Sequence, residues 1–238
     1  IFGDVPAIHQ THWVKMSGLQ KEAYDKFERD AILELERVFL DGSMPGVNLI
    51  RSRQILSCPE IYDINKGEQT ARDALLELQA ADHIQSGDPW MIGSACVPEQ
   101  ERVARFLKKL GIETGLMNGS TSQPQRGELD RKFREGILQC LVVSFEVGSI
   151  GFNWPHCNHV TNLHQSYFHD DYEQFWKRTT RGKRTRPVLI DNIVYEDTIE
   201  EAVLGVLVKK MVLSNSVDPT KQIINLFGRK SRFSEFTN

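Results

Sequence analysis

A chain of 238 residues is long enough for one large domain, or for one domain with a substantial appendage. Hydrophobic residues at 40% and charged residues at 26% are the balance of a soluble globular protein, and no apolar run approaches the roughly 18 residues of a membrane span. A net charge of -3 gives no global basic field, so any contact with nucleic acid has to come from a local patch. The sequence opens on Ile1 without a signal-peptide pattern, as expected of a fragment of a longer protein. Cys58, Cys96, Cys140 and Cys157 are widely spaced with no CxxC pair, and read as reduced, mostly buried thiols of an intracellular protein, cytoplasmic or nuclear.

In chain order, residues 1 to 87 are helical in pattern after a short extended start. Ser17 is a candidate cap for a helix in which Leu19, Ala23, Tyr24, Phe27, Ala31, Ile32, Leu35 and Val38 recur at helical spacing. Gly42 to Gly46 break it, a second short helix spans Leu49 to Leu56, and a third follows through EQTARDALLELQAADHI. Asp88 and Pro89 then punctuate the chain. From Trp90 to about Glu196 short apolar runs alternate with amphipathic stretches: WMIGSA, IETGLMNG, QCLVVS, HVTNLH and RPVLIDNIVYE as strands, EQERVARFLKKLG, QPQRGELDRKFREG and DDYEQFWKRTTR as helices. Such alternation predicts an α/β fold with a parallel sheet flanked by helices on both faces. A terminal helix capped at Asp197 follows, then a polar tail beyond Ser214.

Ligands of an open parallel sheet gather beyond the C-terminal ends of its strands. Three unusual segments fall there. Ser120 and Thr121, beside Gly119, suit either a phosphate at a helix N-terminus or plain helix capping. The run FEVGSIGFNW holds Gly148, Ser149, Gly151 and Asn153, and reads as a close backbone approach or as a tight loop, not as a dinucleotide fingerprint. The third is QFWKRTTRGKRTR, Gln174 to Arg186, with six basic side chains and no acidic one. Gln174, Arg178 and Arg181 stand three and four residues apart, so they share a helix face. Two neighbouring guanidiniums repel each other, which an anion such as phosphate relieves; the alternative is a solvated basic helix end. His156, Cys157, His159, His164 and His169 match no zinc-ligand spacing, and no metal site is expected.

The order of these segments resembles the C-terminal RecA-like lobe of superfamily 2 helicases and translocases, particularly the Swi/Snf-type branch. Gly119, Ser120, Thr121, Arg126 and Phe133 match its dGST…R…F stretch. Ser144, Gly148, Gly151 and Asn153 match motif V, with Ser149 replacing a glycine and Trp154 replacing leucine. Gln174, Arg178 and Arg181 match motif VI, although Thr180 replaces the usual histidine. Toward the start, HWVKMSGLQKEAYDKFE is similar to the segment leaving the first lobe, and SRQILSCP to an LRQ…P stretch.

The resemblance implies a helical inter-lobe segment over 1–87, the RecA-like domain over 88–213 and a tail over 214–238. It further implies that Arg178 and Arg181 are arginine fingers reaching the γ-phosphate of ATP, and that Gln174, Gly148, Gly151 and Asn153 line the nucleotide cleft. Ser94, Gly119, Ser120, Thr121 and Ser144 would touch the sugar–phosphate backbone of nucleic acid, most naturally DNA. ATP and Mg2+ would be held mainly by an N-terminal RecA-like lobe of the same protein. Neither a GxxxxGKS/T loop nor a DEAx box occurs in the chain, so it is expected not to hydrolyse ATP alone. The alternative is a stand-alone nucleic-acid-binding or adaptor module that uses this fold without ATPase activity.

Overall fold

The computed structural model describes residues 7–16, 18–34, 39–41, 45–65, 67–148, 151–164, 169–181 and 186–215. Ser17, Ser149, Lys183, Arg184 and the basic end of the tail lie outside them.

The chain opens with β1 (Ala7–Val14), α1 (Gly18–Asp30), a hairpin of β2 (Ile32–Glu34) and β3 (Phe39–Asp41), and α2 (Pro45–Ser57). A 3-10 turn at Pro59–Tyr62 leads to α3 (Ala71–Ser86). The alternating region follows as β4 (Trp90–Ser94), α4 (Val97–Lys109), β5 (Thr114–Met117), α5 (Gln123–Arg134) and β6 (Cys140–Ser144). After it come the single turn α6 (Phe145–Gly148), β7 (His159–His164), α7 (His169–Thr180), β8 (Val188–Tyr195) and α8 (Ile199–Asn215).

Six strands form one sheet in the order β1-β8-β7-β4-β6-β5, and every neighbouring pair is parallel. The apolar runs are continuous because both faces are covered. Met91, Leu141, Val143, Val160 and Ile190 point to the face that carries α5, α6 and α7, where they meet Phe133, Phe145 and Phe175. Their strand neighbours Trp90, Ile92, Val142, Leu163 and Ile193 point to α3 and α4 and meet Leu76, Ala80, Val103 and Leu107. A third cluster joins Tyr24 and Phe27 of α1 and Ile55 of α2 to Tyr195.

Two expectations are corrected. The first helix stops at Asp30, and Ala31 adopts a left-handed φ of 55° before the hairpin begins. The helical spacing of Ala31 and Ile32 is real in sequence. A short apolar run has no unique period, however, and here it turns to pair Ile32 with Asp41. The cap of α8 is Thr198 rather than Asp197: its hydroxyl accepts from the Glu200 amide at 3.2 Å, while Asp197 has a φ of 55°. The extended start also does more than precede the helices. All eight residues of β1 pair in register with β8, making it an edge of the sheet.

Ionic groups cross-tie the layers. Arg72 of α3 is wholly buried, reaches Glu99 of α4 at 2.8 Å and Glu200 of α8 at 2.7 Å, and lies over the Tyr195 ring at 4.7 Å. On the same face Asp191 of β8 lies 2.9 Å from Nε2 of His159 and 3.1 Å from Nε2 of His12, while Nε2 of His83 meets Nδ1 of His159 at 2.7 Å. This ladder accounts for His159 of the His-rich stretch. Among the described residues no three His, Cys, Asp or Glu side chains gather to hold a metal ion.

Candidate nucleotide and nucleic-acid interface

Parallel pairing brings the strand ends to one edge. Ser94 and Ser144 are register partners at the ends of β4 and β6, and Ser94 faces His164 at the end of β7. The sequence-expected residues distribute along this edge in three groups.

The first is the Asn118–Thr121 turn. Asn118 is its hub, and sequence reasoning passed it over. Its Oδ1 accepts from the Ser120 amide at 3.0 Å and the Ser120 hydroxyl at 2.7 Å, and its amide donates to Oγ1 of Thr121 at 3.0 Å. Arg126 donates through Nε to the Thr121 carbonyl at 2.8 Å. Neither Ser120 nor Thr121 caps α5. That place belongs to Ser122, whose amide and hydroxyl meet Oε1 of Gln125 in a capping box. Ser120 is therefore exposed at the tip of a closed turn, with Thr121 partly so.

Ser94 and Ser144 form the second group and differ sharply. Ser94 is fully buried, its hydroxyl donating to Oε2 of Glu99 at 2.7 Å and accepting from the Cys96 amide at 3.0 Å. With both lone-pair and proton engaged inside the core, it presents nothing to a ligand. Ser144 is partly exposed and accepts from the Val147 amide at 3.3 Å, starting the turn of α6. Burial of Glu99 raises its carboxyl above the usual range, against the opposing pull of Arg72 and the Ser94 hydroxyl.

The third group joins the 151–154 loop to α7. Gly151 has a φ of 80°, and a Cβ there would meet nothing, so the backbone conformation alone calls for glycine. The loop and α7 are stitched twice: the Trp154 amide donates to the Arg178 carbonyl at 2.8 Å, and Nη1 of Arg178 points at the Phe152 carbonyl at 3.4 Å. Gln174, Asn153 and Arg181 are exposed. Arg178 is only 6% exposed, and its Nε has no hydrogen-bond partner among the described residues. Loss of hydration and then the charge of Arg181 push its pKa down. A guanidinium at 6% exposure beside a second cation has no anionic partner among the described residues. The chemistry that satisfies it is a multiply charged oxyanion accepting from its fork of N–H donors. Arg186, by contrast, is paired with Asp88 at 2.8 Å and belongs to the surface.

The structure thus places Gln174 and Arg178 on α7, Arg181 just past its end, and Gly151 and Asn153 on the loop that is hydrogen-bonded to Arg178. Ser120 and Thr121 stand at the start of α5, and Ser144 at the start of α6.

Residues 73–183 match the helicase conserved C-terminal domain family. Among curated proteins, a bifunctional helicase and thymine dioxygenase of Trypanosoma cruzi is 30% identical over 127 residues, 52% of this chain and 11% of the relative. An uncharacterized ATP-dependent helicase of Schizosaccharomyces pombe is 27% identical over 201 residues, 78% of this chain and 19% of the relative. The chain therefore spans a fifth or less of these relatives. The same fold occurs in the C-terminal part of the Fun30 ATPase domain, with a TM-score of 0.64, 17% identity, and coverage of 98% and 96% of the two chains. It occurs also in the Sulfolobus solfataricus SWI2/SNF2 ATPase core, with a TM-score of 0.65, 18% identity, and coverage of 99% of this chain and 47% of the other. That core has also been solved in complex with dsDNA, with a TM-score of 0.63 and 19% identity over 89% of this chain and 46% of the other.

Proposed function

We propose that this chain, which matches the helicase conserved C-terminal domain family over residues 73–183 and shares the fold of the C-terminal part of the Fun30 ATPase domain, is the second motor lobe of an ATP-dependent DNA translocase of superfamily 2. Its sequence would then divide as 1–87 linking the lobes, 88–213 forming the lobe proper and 214–238 forming a tail. The observation that carries this reading is the state of Arg178: nearly buried, without an anionic partner among the described residues, depressed in pKa, and one turn from a solvent-facing Arg181.

Both guanidiniums fit the terminal phosphate of ATP presented from a facing N-terminal lobe. ATP with Mg2+ supplies a strongly charged triphosphate, which that lobe would hold through its own phosphate loop and carboxylates. In this chain Arg178 and Arg181 would donate N–H groups to the phosphoryl oxygens as charge builds on them in the transition state. Gln174, exposed one turn earlier on α7, would orient the same face. Gly151 and Asn153, with Gly148 at the end of α6, would line the cleft wall.

Nucleic acid would run along the strand ends, touched by the Gly119–Thr121 turn and by Ser144. Its contacts go to the sugar–phosphate backbone and carry no base information, so binding would tolerate any sequence and weaken with salt. The dsDNA-bound Sulfolobus neighbour favours duplex DNA as the partner. Ser94, enclosed by Glu99 and the Cys96 amide, is left out of this contact set. The four cysteines are buried and free, which suits a reducing intracellular compartment.

Nucleic-acid-stimulated ATP turnover of the two-lobe protein tests the assignment. Arg181→Ala should lower kcat by about 10³-fold, the lower end for finger arginines. Turnover at the wild-type rate would sink the role. The present chain assayed alone should show no turnover, and activity there would overturn the division of labour between lobes.

A further inference from the structure

The 151–154 loop is held from two sides, and only one of them is α7. On the other, the indole Nε1 of Trp154 donates to Oδ1 of Asp130 at 2.8 Å. Asp130 pairs at 2.9 Å with Arg134 one helical turn later, and Nη2 of Arg134 donates to the Asn153 carbonyl. Two consecutive residues of the loop are therefore tied to α5, one by its side chain and one by its main chain. On the α7 side, Phe152 and Trp154 meet the side chain and main chain of Arg178. The loop is packed as well as tethered: Trp154 is fully buried, stacks on Phe152 with centroids 5.6 Å apart and planes at 8°, and meets Phe133 of α5 edge-on.

We propose that Asp130 and Trp154 are positioning residues that set the guanidinium of Arg178 and link it mechanically to the Asn118–Thr121 turn. The inference rests on the motor-lobe reading for its consequence and on the hydrogen-bond chain for its existence. Helix α5 is the connecting rod. It begins two residues after Thr121, is capped at Ser122, and spans about 18 Å over its twelve residues. A helix of that length shifts as a body, so displacement of the turn by a bound backbone would carry Asp130 and Arg134 with it. The loop would follow, because Trp154 and the Asn153 carbonyl are tied to those two side chains. Arg178 would follow the loop, because its carbonyl and its Nη1 are both engaged there. Nucleic-acid contact at one end of α5 would thus alter the placement of a phosphate-binding arginine at the other.

Three variants separate this from a merely structural role. Trp154→Phe keeps an aromatic ring in the cluster and removes the donor. Asp130→Ala removes the acceptor from a partly exposed site, and Asp130→Asn keeps an oxygen able to accept from the indole. Hydrogen exchange of the Trp154 amide, the donor to the Arg178 carbonyl, reads the link in the present chain. It should speed up about tenfold in Trp154→Phe and Asp130→Ala and stay near wild type in Asp130→Asn. In the two-lobe protein, the first two variants should lose about tenfold in nucleic-acid-stimulated kcat at unchanged KM for ATP, with Asp130→Asn spared. Unchanged protection in all three, or acceleration spread evenly over β4 and β6, would overturn the link. Altered exchange in the variants, together with no ATPase in the wild-type two-lobe protein, would instead overturn the motor-lobe reading and leave the link standing. If Trp154→Phe does not fold, the contrast between Asp130→Ala and Asp130→Asn decides alone.

Discussion

Replacing Arg72 by methionine should be the most damaging single core substitution, and its size can be worked from the contacts. Arg72 is wholly buried between Glu99 and Glu200, which are 0% and 1% exposed. N–O contacts of 2.8 and 2.7 Å place the charge centres about 4 Å apart, where each attraction is worth about 4 kcal/mol at an effective dielectric of ~20. Desolvation offsets most of that in the intact triad, so the triad itself adds little net stability. Methionine changes the balance: it leaves two carboxylates buried without their common partner, which costs about 3–5 kcal/mol. For a domain of this size each kcal/mol is about 2–4 °C in Tm, so a fall of roughly 6–20 °C is expected. The pH dependence carries the diagnosis. Burial already raises the Glu99 carboxyl, and loss of Arg72 raises it further. A carboxyl raised on folding destabilises above its folded pKa, and the penalty disappears once pH falls below the unfolded value of about 4.3. Urea titrations of Arg72→Met and wild type at pH 7.5 and pH 4.5 should show the deficit shrinking at the lower pH. A loss under about 1 kcal/mol at pH 7.5, or a deficit independent of pH, would refute the account.

Two further outcomes follow from single contacts. Gly93 lies under α7, where a Cβ would sit 2.6 Å from Phe175 and 2.8 Å from Phe145, both buried rings. Gly93→Ala should therefore cost about 1–3 kcal/mol in a denaturant titration and displace the helix that carries Arg178. His12 of β1 has its pKa raised by its hydrogen bond to Asp191, burial opposing and the carboxylate charge assisting. A histidine raised on folding stabilises fully below about pH 6.5 and loses that contribution as pH rises through the folded value. Thermal melts across pH 5.5 to 8.5 should show this slope in wild type and a flatter one in His12→Gln; equal slopes would refute the pairing.

The α/β alternation and the positions of the sheet strands from Trp90 onward were legible from residue order alone. Periodicity reports which faces are buried, and ordered motifs report where a parallel sheet opens. The hairpin after Asp30 was not legible, because Ile32 and Leu40 suit either period until a partner strand is present. Nor was the enclosure of Ser94. A serine at a strand end looks alike in sequence whether it faces solvent or, as here, the buried Glu99.

What the sequence determined by itself is local: the apolar strands, the amphipathic helices between them, and the three- and four-residue spacing of Gln174, Arg178 and Arg181. Tertiary structure decided everything that depends on long-range approach. It added β1 to the sheet across 181 positions of chain between Ala7 and Val188, and it made Arg72 the common partner of two distant glutamates. It also suspended the Gly151–Trp154 loop between α5 and α7, so that Arg178 is held by contacts from residues 24 to 26 positions away. The physical reason is that charge and hydrogen bonding act over a few ångströms of space, and only folding brings such groups within that distance.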